Sequence, residues 1–131
     1  MIRCVRIWTG DDGQSHFEEG SVDLPGGSRG DAVGGEIAAS SISFRETHAG
    51  GAFDWHEAPV RQFVLTLSGT LEFETRSGTR FTIAPGDALL AEDTTGGGHR
   101  WHLLDNNPWR RAYIILQSGV DARFVRTPAT A

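Results

Sequence analysis

The stretch from Val60 to Asp93, VRQFVLTLSGTLEFETRSGTRFTIAPGDALLAED, constrains this chain more than any other. Apolar and polar residues alternate through it, and a turn signal interrupts them every few residues. Gly69, Ser77-Gly78 and Pro85-Gly86 are those signals. Between them lie four extended segments, Val60–Leu67, Thr70–Thr75, Thr79–Ile83 and Ala88–Ala91. A period of two places Gln62, Val64 and Thr66 on one face and Phe63, Leu65 and Leu67 on the other. One strand thus serves a mixed polar surface and a wholly apolar layer at once.

The same pattern extends outward. Ile2–Trp8 reads as a strand with Cys4, Arg6 and Trp8 on one face and Arg3, Val5 and Ile7 on the other. DDGQSHFEEG is polar and turn-rich, and Leu24–Glu36 is a glycine-rich loop without phosphate-loop spacing. Ile37–Arg45 is a strand, HAGGAF breaks the chain, and DWHEAP follows. After DTTGGG come the alternating HRWHLLD, the strand Trp109–Gln117 and a short strand over Ala122–Arg126, with TPATA as a loose tail. No amphipathic helix of three turns is present. Strands follow strands at short intervals, which indicates an all-β sandwich or barrel rather than alternating strands and helices.

A length of 131 residues fits one domain, residues 1–131, and is enough to bury a core without staples. Four Trp and seven Phe supply that core. A formal charge of −5 disfavours nucleic acid and anionic membrane surfaces as partners. No apolar run is long enough to span a bilayer, and the first residues lack an apolar signal core, so a cytoplasmic location is expected. The single cysteine, Cys4, excludes an internal disulfide and reads as a buried, inert thiol.

One group of residues carries a resemblance. Gly50 is followed by five residues and His56; Ala58 comes next but one, Gln62 follows, and Gly69 comes after six intervening residues. Later, Gly86-Asp87 leads through a strand to His99. This resembles the two motifs of the cupin superfamily, in particular small single-domain bacterial cupins, over roughly residues 41–117. The resemblance implies a cupin-type double-stranded β-helix, a jelly-roll barrel. Family members with the full pattern hold a divalent metal on three histidines and a glutamate. This chain keeps His56 and His99, but Ala58 replaces the second histidine and Gln62 the glutamate. The implied metal site is therefore His56, Gln62 and His99, without an anionic ligand, holding zinc, iron, manganese or nickel weakly or not at all.

His56 and His99 are equally candidates for acid–base catalysis, because imidazole titrates near neutrality. Glu92, in the segment that leads to His99, is the third catalytic candidate, and either it or Asp93 is placed to orient an imidazole. Arg45 and Arg61 flank the first motif and are candidates to clamp a substrate carboxylate. Trp55 and Trp101, close to the two histidines, are candidates for a pocket wall. His102 has the outward parity, and His16 and His48 read as solvent-exposed. Three functions stand open: an enzyme of lyase or isomerase type acting on a small oxygen-bearing or anionic compound, a non-catalytic small-molecule binder, and a purely structural or interaction protein. A homodimer is expected, built on sheet faces or edges with the strand Ile2–Trp8 taking part.

Overall fold

Alternation becomes eleven strands in the computed structural model, which describes residues 1–128. They are β1 (Ile2–Thr9), β2 (Ser15–Val22), β3 (Ala39–Thr47), β4 (Ala52–His56), β5 (Gln62–Ser68), β6 (Leu71–Thr75), β7 (Arg80–Ile83), β8 (Ala88–Glu92), β9 (His99–Leu103), β10 (Trp109–Leu116) and β11 (Phe124–Arg126). There is no α-helix among the described residues. The end of the TPATA tail lies outside them.

The strands form two sheets. The larger has the order β11-β2-β1-β8-β5-β10-β3 and the smaller the order β4-β9-β6-β7. From β3 to β10 the antiparallel pairs are nested: β3 with β10, β4 with β9, β5 with β8 and β6 with β7. A long hairpin folded across two facing sheets produces this nesting, and it defines the double-stranded β-helix, or jelly roll. The fold is therefore of the cupin type. It is a sandwich of two separate sheets rather than one closed barrel.

Each face of the larger sheet has its own apolar layer. Val5, Ile7, Val64, Leu89 and Ala91 point inward, where Leu71, Phe73, Phe81, Ile83, Trp101 and Leu103 of the smaller sheet meet them. Phe73 and Phe81 stack with centroids 5.1 Å apart and planes 2° from parallel. Cys4, Phe63, Ala88, Leu90 and Leu116 form the outer layer, with Ala122 and the partly buried Ile37, Val120 and Phe124 packed over it. The parity expected of β1 and β5 is the parity observed. Each large apolar side chain so buried contributes roughly 1.5–3 kcal/mol.

Three readings of the sequence need correction. The double-sheet core is wider than residues 41–117, since β1 and β2 extend the larger sheet beyond β8. The stretch read as polar turns contains β2, whose cross-strand pair Arg6–Glu18 lies on the face away from the cavity. β1 is not an edge: β2 and β8 take both its sides, so it has no free backbone for a second copy. The edges of the larger sheet are β3 and β11.

Candidate functional site

Rows of side chains across the inner face of the larger sheet create a cavity. Arg111 stands opposite Arg45 on one side and Thr66 on the other; Tyr113 stands between Ser43 and Val64; Ile115 lies beside Gln62, and Gln62 beside Ala91. The smaller sheet contributes Phe53, His56, Phe73, His99 and Trp101. Together they line a cavity of about 520 Å³, a size suited to a small organic ligand.

The two histidines meet because of a bulge and a glycine. In β4, Phe53 pairs with Trp101 and His56 with His99, so β4 carries one residue more than β9 over this stretch. That extra residue reverses the parity, and both Phe53 and His56 line the cavity although they are three positions apart. Trp55 is turned outward, where Arg76 and Arg100 stack on it at 4.1 and 4.7 Å. Gly98, with φ of +71°, lies directly before β9. A Cβ there would fall 2.2 Å from the His56 carbonyl oxygen, so only glycine lets β9 begin against His56. The imidazoles end edge to face, with centroids 4.6 Å apart.

Each imidazole is anchored through Nδ1. His99 is 4% exposed, and its Nδ1–H donates to Asp93 Oδ2 at 2.5 Å. That same oxygen accepts from Ser15 Oγ at 2.7 Å. The Asp93 backbone carbonyl accepts from the Ala58 N–H at 2.9 Å, tying the His99 carboxylate to the His56 segment. Asp93 is fully buried, and its Oδ1 has no partner among the described residues. His56 Nδ1–H donates to the Asp54 carbonyl at 2.7 Å. Burial holds the His56 pKa below the ordinary imidazole value; the Asp54 bond opposes this, and the nearby His99 charge adds to it. With Nδ1 of both rings committed, Nε2 is the nitrogen each has left for a ligand. Gln62 is buried on the cavity wall, and its amide has no hydrogen-bond partner among the described residues.

Arg61 and Glu92 are not brought to this place. They pair with each other at 2.6 Å, Glu92 also takes Arg6, and Arg61 Nη1 donates to the Val120 carbonyl. Neither lines the cavity. The orienting role falls instead to Asp93, one residue on, because the two carboxylates lie on opposite faces as the chain leaves β8. Trp101 forms part of the wall, edge-on to Trp109 at 4.6 Å. Trp109 is buried in the same wall. Arg45 lines the cavity and stacks over Tyr113 at 5.0 Å. His102 faces outward toward Glu72, and His16 bonds Asp12 at the surface.

Sequence reasoning missed Arg111. It is 3% exposed, lies on the cavity wall and has no carboxylate partner among the described residues. Nη1 donates to Thr47 Oγ1 at 2.8 Å and to the Trp109 carbonyl at 3.0 Å, and Nε donates to Tyr113 Oη at 3.1 Å. The guanidinium lies 3.7 Å over the Trp109 ring. Burial pushes its pKa down; the Tyr113 bond opposes the shift and the Arg45 charge adds to it. The available signal was parity: Trp109, Arg111 and Tyr113 share a face of β10.

No family model matches the chain, and no curated protein matches it. Solved structures do. A DUF861-family protein from Thermotoga maritima is 26% identical over 56% of this chain and 77% of its own, with a TM-score of 0.47. A conserved protein with a double-stranded β-helix domain from Klebsiella pneumoniae is 21% identical over 83% of this chain and 96% of its own, with a TM-score of 0.48. A protein from Neisseria meningitidis is 19% identical over 63% and 80%, with a TM-score of 0.45.

The donor set does not fit a resident metal centre. His56 and His99 offer two neutral nitrogens and Gln62 a neutral oxygen. Among the described residues no third His, Cys, Asp or Glu joins them to hold an ion. The same cavity wall carries the buried cation Arg111. A divalent ion here would find repulsion and no anionic ligand to offset its charge.

Proposed function

We propose that the cavity binds a small oxygen-bearing organic molecule and that His99 and His56 exchange a proton with it, in chemistry of the isomerase or lyase type. The observation that carries this reading is the buried Ser15–Asp93–His99 chain beside a second, neutral imidazole in one cavity. Asp93 fixes the proton on His99 Nδ1, which leaves Nε2 as a base. When His99 takes a proton from the carbon next to a carbonyl, the C–H bond breaks, an N–H bond forms and the electron pair moves onto the carbonyl oxygen. The Asp93 carboxylate then offsets the positive charge on the ring. The free amide of Gln62 is available to donate to the oxygen as its charge develops. His99 returns the proton to a neighbouring carbon in an isomerisation; in an elimination a leaving group departs instead.

The test is deuterium uptake from solvent, followed by NMR across a panel of small oxo and hydroxy acids. The parent protein is expected to exchange hydrogen in at least one of them. His99→Gln should abolish that exchange, and Asp93→Asn should slow it strongly while the fold survives. Chelator treatment should leave it unchanged. Ligands that bind without exchange in the parent protein would favour the second reading, a non-catalytic binder, for which the loss of both middle metal-ligand positions at Ala58 and Gln62 speaks.

A further inference from the structure

Of the arginines, Arg111 is the buried one, and its charge meets no carboxylate among the described residues. Arg3, Arg6, Arg61, Arg80, Arg100 and Arg110 each meet a carboxylate within 3.3 Å. Arg111 meets none among the described residues, although it is the buried one. Its cross-strand neighbour is Arg45, a second arginine without an acidic partner among the described residues. Like charges placed directly opposite each other in a sheet destabilise it, and a buried unpaired charge costs more still. Stacking on Trp109 offsets only part of this.

The free donors converge. Nε and Nη1 of Arg111 are used, so Nη2 remains. Tyr113 Oη accepts from Arg111 Nε, which leaves the phenolic proton to donate elsewhere. We infer that Arg111 Nη2 and the Tyr113 hydroxyl, with Arg45 at the rim, bind the carboxylate of the cavity's ligand. One carboxylate matches the single buried cation. The aromatic wall between this end and the histidines specifies the ligand's body: His99 lies 5.7 Å from Phe73, and Phe73 lies 6.3 Å from Trp109, centroid to centroid. The substrate class is thus a monocarboxylate with a planar apolar body. This deepens the small-molecule reading above and rests on it.

The probe is benzoate, followed by the fluorescence of the cavity tryptophans and by calorimetry, with benzamide and inorganic phosphate as controls. Benzoate is expected to bind the parent protein, and benzamide, of the same shape without charge, to bind at least about thirtyfold more weakly. Arg111→Met should lose benzoate by a similar factor, with circular dichroism reporting its fold, and Tyr113→Phe should weaken it by less. His99→Gln should keep benzoate binding, so that a failed exchange assay and a failed anion site are told apart. Equal binding of benzoate and benzamide, no benzoate binding at millimolar concentration, or tighter binding of phosphate than of benzoate would each overturn the assignment. The benzoate–benzamide comparison stands even if Arg111→Met does not fold.

Discussion

Neighbouring residues with the same charge have opposite fates here. Glu92 and Asp93 are adjacent, yet Glu92 joins Arg6 and Arg61 while Asp93 is buried against His99 and Ser15. His56 makes a prediction in pH. Its folded pKa is depressed, so the native state binds fewer protons than the unfolded chain in the window below the unfolded value of about 6.5. Its contribution to stability is complete above that value and is lost as pH falls through the folded pKa. Thermal unfolding followed between neutral and mildly acid pH should therefore show a smaller loss for His56→Gln than for the parent protein. Gln62 makes a second prediction. Gln62→Glu should raise zinc affinity in calorimetry above that of the parent protein, because it adds the missing anionic oxygen beside two imidazoles. Unaltered affinity would mean that the side chain does not reach both histidines. Cys4 makes a third: burial pushes its thiol up to about 12, so a thiol reagent should react only after denaturant is added.

Among the elements, β4 and β9 decide the site. Their pairing register brings His56 to His99, and it depends on the bulge in β4 and on Gly98. Gly98→Ala should cost about 1–3 kcal/mol or more in urea denaturation, since it combines a left-handed backbone with a backbone clash. It should also depress proton exchange beyond what lost stability explains, because β9 must shift. A variant with parent-like stability and exchange would show that the glycine is not required. β2 and β4 were hard to read from sequence for one physical reason. Neither carries an unbroken apolar–polar period: β2 reads SHFEEGSV, and a bulge interrupts the five residues of β4. β5, with two differently packed faces, was legible throughout.

For the whole molecule, no helix among the described residues is long and apolar enough to cross a membrane. The outer edge at β3 is the feature that bears on assembly. Ile42 and Phe44 are exposed on it, and Leu67 is exposed on β5. We expect a homodimer through this edge, in place of the N-terminal strand. Sedimentation should give a dimer that Phe44→Lys converts to monomer; a clean monomer of the parent protein at high concentration would reject it.

By itself the sequence determined the strand class, the two faces of β1 and β5, the turns at Gly69, Gly78 and Gly86, and the inward parity of His99 and Trp101. All of these are local consequences of period-two geometry and of glycine's access to positive φ. Tertiary structure alone decided that Asp93 rather than Glu92 reaches His99, that Arg61 is taken up in an ion pair, and that Arg111 is buried without an acid among the described residues. Those outcomes depend on which sheet face and which distant strand a side chain meets. Arg45 and Arg111 are 66 residues apart in sequence, since 111 − 45 = 66, and only the β3–β10 register makes them neighbours.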